Sequence, residues 1–129
     1  MKVFVQEITV KAGHLDALNH VNNVVYVQWV QDVASLHWDA IASSEIKNKY
    51  SWVVLKHEIE YLSPALLKDI LVVKTWVEKS EGARSERHVE FYNKKTNKLL
   101  VRAKTSWCLL DASTMKPRRI EQDIFQVFH

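Results

Sequence analysis

The chain has 129 residues, 47% hydrophobic and 26% charged, which suits one domain over residues 1–129 with one core and leaves no room for a second. Its net charge of +3 is mildly basic, with lysines and arginines scattered rather than massed; that argues against nucleic-acid binding and stays compatible with a phosphorylated ligand. No segment approaches the length of a membrane span, and the single cysteine, Cys108, forbids an intrachain disulfide, so a reducing cytoplasm fits.

The N-terminus, MKVFVQEITV, lacks the apolar core and small-residue cleavage site of a signal peptide. Phe4 to Val10 alternates weakly and reads as a first strand. There is no repeat, linker or low-complexity stretch, and with only two glycines and two prolines the loops are expected to be short.

The segment from His14 to Trp29, HLDALNHVNNVVYVQW, is the most informative part of the chain. It sets Asp16 in a short polar stretch ending in Asn22 and Asn23, immediately before an amphipathic helix. From Asn23 to about Ala42 the residues Tyr26, Trp29, Val30, Val33, Ala40 and Ile41 follow helical spacing along one face. Asn22 is placed to cap that helix, its side chain accepting from a first-turn N–H. A carboxylate is thereby aimed at the positive end of a helix, where unpaired N–H groups can stabilise a developing oxyanion.

Beyond the helix the periodicity changes to two. Val53, Leu55, His57, Ile59 and Tyr61 fall on one strand face, with Lys56, Glu58 and Glu60 on the other, until Pro64. Ile70 to Glu78 reads as the next strand, with Leu71, Val73, Thr75 and Val77 on its apolar face. Arg84 to Tyr92 is a third, followed by the turn KKTNK. Leu99 to Leu110 is the longest, with Val101, Ala103, Thr105, Trp107 and Leu109 in phase and Cys108 read as a buried thiol. One strand, one long helix, then strands joined by tight turns give an α+β domain, an antiparallel sheet covered on one face by the helix.

Asp16, Asn19, His20, Val21, Asn22, Asn23 and Tyr26 fall in step with a D-x-x-(G/N)-H-V-N-N-x-x-Y pattern. The segment therefore resembles the signature of hot-dog-fold thioesterases, in their 4-hydroxybenzoyl-CoA thioesterase-like acyl-CoA branch. Plant acyl-carrier-protein thioesterases carry a similar run, so carrier choice stays open. Tyr61-Leu62-Ser63-Pro64-Ala65 looks like the family's Y-x-x-P-A turn, and Asp69 like the aspartate that follows it. Lys68 stands where that family usually has glycine. Asn19 replaces another frequent glycine, and asparagine tolerates the left-handed conformation better than most residues.

The resemblance implies a hot-dog fold, a five- or six-stranded antiparallel sheet wrapped around one long central helix. It also implies hydrolysis of an acyl-CoA to free acid and coenzyme A, with no cofactor. Asp16 is expected to attack the carbonyl or act as general base on water, and the Asn23 backbone N–H to hold the oxyanion. His20 is either a second catalytic group or an orienting one. Asn22, Tyr26 and His57 are the candidate substrate-binding residues. His57 is open between a satisfied core histidine and a wall of the acyl pocket facing Asp16 of the partner subunit, and His14 between a pocket-mouth and a solvated position. The five tryptophans read as core and interface residues. No metal-ligand spacing links His14, His20 and His57. Arg84, Arg87, Lys94, Lys95, Arg118 and Arg119 are the cations on hand for coenzyme A phosphates. Exposed sheet edges imply a homodimer or a dimer of dimers. An acyl-carrier-protein thioesterase, a hot-dog hydratase or dehydratase, and a non-catalytic acyl-thioester-binding module are the alternatives.

Overall fold

The computed structural model describes residues 2–129. Strand β1 (Phe4–Thr9) leads through a 3-10 turn at Ala12–His14 and a loop into the long helix α1 (Asn23–Ile41). A short helix α2 (Ser44–Lys49) turns the chain into β2 (Tyr50–Tyr61), β3 (Ile70–Glu81), β4 (Arg84–Asn93) and β5 (Leu99–Asp111). A final helix, α3 (Gln122–Phe128), closes the described chain. The five strands form one antiparallel sheet in the order β1-β3-β4-β5-β2, so β1 and β2 are its edges.

Helix α1 contains no glycine or proline, and Asn22 Oδ1 caps it by accepting from the Val24 N–H at 3.0 Å. It buries Tyr26, Trp29, Val30, Val33, Ala34 and His37 against the sheet. Ala40, expected on that face, is exposed instead. It lies two heptads beyond Tyr26, and a straight helix drifts about 20° per heptad, so Ala40 has turned out while Ala34 and His37 carry the face onward.

The sheet's inner face supplies Leu71, Val73, Val89, Phe91, Val101 and Ala103 to a core beneath the first half of α1. Phe91 is fully buried there, and truncating it to alanine should cost about 3–5 kcal/mol. A second cluster of Tyr50, Val77, Leu109, Ile124 and Phe128 sits at the other end, with Trp38 and Trp52 packed against it. Helix α3 therefore serves as a plug for that end of the sheet. Its short QDIFQVF run shows little of the spacing that made α1 legible.

Strand β2 corrects the simple alternation. A bulge between Val54 and Lys56 inserts one extra residue and reverses the phase of everything before it. His57 and Ile59, opposite Thr105 and Ala103, are half-buried on the inner face, and Tyr61 lays its ring against Tyr26 at the strand end while staying 42% exposed. Val53 and Leu55, expected in phase with them, are 42% and 48% exposed. Cys108, opposite Val53, is buried. The β3–β4 turn places Gly82 at φ +61°, a conformation that favours glycine.

Candidate active site

The loop between β1 and α1 is fixed by its own backbone. Leu15 and Val21 form an isolated antiparallel bridge. Within it the Asp16 N–H donates to the His20 carbonyl at 2.8 Å, and the Asn19 N–H to the Asp16 carbonyl at 3.0 Å. This tight reversal requires Asn19 in the left-handed region at φ 60°, which asparagine accommodates.

The Asp16 side chain is half-buried. Its Oδ1 accepts from the Leu18 N–H at 2.9 Å and the His20 N–H at 3.2 Å. Oδ2 receives no hydrogen bond among the described residues. One carboxylate oxygen thus anchors the group and the other is left unengaged among the described residues.

The donors at the start of α1 divide in the same way. Asn22 donates to the His14 carbonyl at 2.9 Å, Val24 to Asn22 Oδ1, and Val25 to the Asn22 carbonyl at 2.9 Å. The N–H of Asn23, an exposed residue, has no acceptor among the described residues. It is the first-turn donor left over, at the end of a helix where partial positive charge accumulates.

The other sequence candidates are placed as follows. His20 is tied to Asp16 through its backbone N–H and carbonyl rather than through its ring. His14 is half-buried, its Nδ1 accepting from the Lys11 N–H at 2.9 Å and its ring edge-on to Trp29. Tyr26 is 2% exposed and wedged among Trp29, Tyr61 and Phe91, a core position. Its hydroxyl has no partner among the described residues, and burial, then the charge of Asp69, pushes its pKa up. Tyr61 connects that core to the helix start, donating to the Asn23 carbonyl at 3.4 Å.

His57 lies further along α1. Its Nδ1 is 2.8 Å from Thr105 Oγ1 and its Nε2 is 3.4 Å from Gln31 Nε2; burial lowers its pKa. Gln31 is eight residues past Asn23, about 12 Å along the helix axis, so within one chain His57 and the Asp16 loop are separate.

The segment after β2 braces the loop. Val21 donates to the Ala65 carbonyl at 3.0 Å, Lys68 to the Val10 carbonyl at 2.9 Å, and Leu66 to Asp69 Oδ2 at 2.9 Å. Lys68 adopts φ 72°, so the turn keeps the shape that glycine would permit, with a lysine held in a strained conformation.

The proposed phosphate-binding cations separate sharply. Arg87 is buried at 4% exposure and faces the interior, which removes it from a surface role. Lys94 pairs with Glu7 at 2.8 Å and Arg118 with Asp111 at 3.2 Å. Arg84, Lys95 and Arg119 are exposed and form no ion pair among the described residues. One cluster had no signal in the spacing. Across β3 and β4, His88 Nε2 lies 2.6 Å from Glu78 and 3.2 Å from Glu86 on the outer face of the sheet. A pairing of strands, not a motif, creates it.

A five-stranded antiparallel sheet on one long helix, with an acid-bearing loop feeding the helix start, defines the hot-dog fold of the thioesterases. The family described as acyl-ACP thioesterase N-terminal domain matches residues 1–128, and the chain belongs to it. The chain is 23% identical to the long-chain acyl-CoA thioesterase FadM of Escherichia coli over 123 residues, 92% of this chain and 91% of that one. Among solved structures it is similar to the probable thioesterase YbaW of Escherichia coli, with a TM-score of 0.83, 22% identity, and 95% and 94% of the two chains covered. It is also similar to a Staphylococcus aureus protein in complex with CoA, with a TM-score of 0.85, 17% identity, and 98% and 81% covered. No helix among the described residues is long and apolar enough to cross a membrane.

Proposed function

We propose that this protein hydrolyses acyl-CoA to a free acid and coenzyme A in the cytoplasm, with Asp16 and the Asn23 N–H as the reacting pair. The observation that carries this is their complementary vacancy: a carboxylate held by one oxygen, and a helix-start N–H without an acceptor. Asp16 supplies the negative charge that attacks the carbonyl or deprotonates water, and Asn23 stabilises the oxyanion as it forms. Thiolate is a good leaving group, so a site without a strong general acid suffices. Leu18 and Val24, 74% and 73% exposed beside the pair, offer apolar surface for an acyl chain or a second subunit. Arg84, Lys95 and Arg119 are the free cations for phosphates.

The family match favours a second carrier, acyl carrier protein, whereas the similarity to FadM favours coenzyme A. Thiol release from a panel of acyl-CoA substrates, run beside the same acyl groups on carrier protein, decides between them. Enoyl-CoA hydration without thiol release, or binding with neither reaction, would overturn the hydrolase reading.

The working unit is a homodimer at minimum. Edge strand β2 exposes Val53 and Leu55 outside the helix-covered face, and an unpaired edge of twelve residues invites a second copy. In that assembly Asp16 of one protomer faces strand residues of the other. A fully active monomer in light scattering at micromolar concentration would refute this.

A further inference from the structure

The second half of α1 and the sheet behind it form a partly open cavity of about 230 Å³. Its walls are Trp38, Tyr50, Trp52, Trp107 and Phe128, and Arg87 lies among them. Both hydrogen bonds that hold Arg87 leave from Nη1, one to Thr75 Oγ1 at 3.0 Å and one to His37 Nδ1 at 2.9 Å. A guanidinium has five N–H donors, so three more are uncommitted. No carboxylate among the described residues pairs with Arg87. Asp123, near this end of the sheet, instead accepts from the Tyr50 hydroxyl at 3.0 Å.

His37 supplies no compensating charge. Burial, then Arg87 itself, lowers its pKa to about 4, so it is neutral at pH 7. Arg87 is lowered by burial to about 10 and remains a cation. A buried, uncompensated cation is among the costliest arrangements in a protein interior. The Phe128 ring, its centroid 5.4 Å from Arg87 Cζ, offers the cation a π face but no negative charge. The cavity thus combines aromatic walls with a positive charge that nothing negative among the described residues matches.

We propose that this cavity binds a small organic carboxylate, its anionic oxygens on the uncommitted donors of Arg87 and its apolar body against the aromatic walls. A cavity of 150 Å³ holds benzene, so one of about 230 Å³ takes a ligand of about nine heavy atoms, the size of benzoate. The lining residues Ala34 and Trp38 are 11 and 15 positions past Asn23, about 16–22 Å along α1, so the carboxylate is not the one released at Asp16 of the same chain. It is either a free acid or the far-end carboxylate of an acyl chain. The site goes beyond the hydrolase reading and does not depend on it.

Calorimetric titration of the full chain with benzoate and hexanoate tests the proposal, with tryptophan fluorescence as a second readout. Saturable binding is expected, at least tenfold weaker for the neutral isostere benzyl alcohol and for Arg87→Met. The reaction-deficient Asp16→Asn should bind benzoate as wild type does, which separates this site from the fate of the hydrolase reading. Should Arg87→Met fail to fold, Ser35→Leu fills part of the cavity from an exposed position of α1, and a several-fold loss of affinity is expected. Turnover of hexadecanedioyl-CoA against palmitoyl-CoA, chains long enough to span the distance along α1, separates the two sources: a preference for hexadecanedioyl-CoA that Arg87→Met or Ser35→Leu abolishes assigns the far end of the chain, and benzoate binding without that preference assigns a free acid. Absence of both saturable benzoate binding up to about 10 mM and any hexadecanedioyl-CoA preference, or benzoate binding that neither Arg87→Met nor Ser35→Leu weakens, overturns the site and leaves a hydrated cavity.

Discussion

Replacing Asp16 by asparagine separates the charge of this residue from its shape. Asparagine retains an oxygen where Oδ1 accepts from Leu18 and His20, so the loop geometry should persist. Those two bonds become neutral rather than charge-assisted, a loss of about 1 kcal/mol in stability. What disappears is the anionic Oδ2 that no described residue engages. Loss of an essential nucleophile or base costs at least about 100-fold in rate, and at 1.36 kcal/mol per tenfold this is about 2.7 kcal/mol of barrier. Thiol release under saturating acyl-CoA measures the rate, and circular dichroism confirms the fold. A folded Asp16→Asn protein that keeps more than about a tenth of wild-type turnover, well above the expected loss, refutes the assignment of Asp16 as the reacting group.

Other outcomes follow from the same geometry. Asn22→Ala frees the Val24 N–H and should lower stability by about 1 kcal/mol, read as a shift in the urea midpoint. Lys68→Gly relieves a left-handed lysine and should stabilise by up to about 1 kcal/mol; a lowered midpoint would contradict the strain. His57→Ala strips the fully buried Thr105 hydroxyl of its partner and should cost about 1–3 kcal/mol while slowing all substrates alike; an altered chain-length preference would make His57 a pocket wall instead. His37 has a folded pKa of about 4 against an ordinary 6.5, so below pH 6.5 the unfolded chain takes up its proton first. The stability it contributes is present above pH 6.5 and lost as pH falls towards 4, up to about 3 kcal/mol, and His37→Gln should flatten that part of the profile in urea melts at pH 4.5, 5.5 and 7.5.

What could be read from the residues was local. The starts of β3, β4 and β5, the inward phase of β3 and β5, the Asn22 cap and the left-handed Asn19 all rest on neighbours within a few positions, whereas β2 begins at Tyr50 rather than Val53 and β3 runs on past Glu78 to Glu81. The β2 bulge was not readable, because Leu55 is a plausible strand residue on either face until its pairing with β5 is known. Helix α3 escaped for a related reason: Ile124 and Phe128 are too few to reveal a period, and their burial follows from the open end of the sheet they fill. Arg87 was misread as a surface cation because alternation along RSERHVEFYN puts it in phase with Ser85, Val89 and Phe91, a pattern that outweighs its charge only once the sheet has a covered face.

The two sites differ in how they are made, and this bears on how the protein can change. The Asp16 loop is held within one short segment by backbone hydrogen bonds and by the side-chain oxygens of Asp16 and Asn22, so substitutions elsewhere in it that preserve the reversal at Asn19 preserve the arrangement. The cavity is assembled from side chains on α1, α3 and four strands, and the hydrogen bonds that hold Arg87 in it are long-range ones. Helix α1 joins them, presenting a free N–H at its start and His37 beside Arg87 near its end. Substituting Trp52 or Trp107 would reshape what the cavity admits without touching any hydrogen bond of the Asp16 carboxylate. On the proposed assignments, chemistry and ligand choice lie towards opposite ends of one helix within a chain, and substitutions at the two should be additive in their energetic effects.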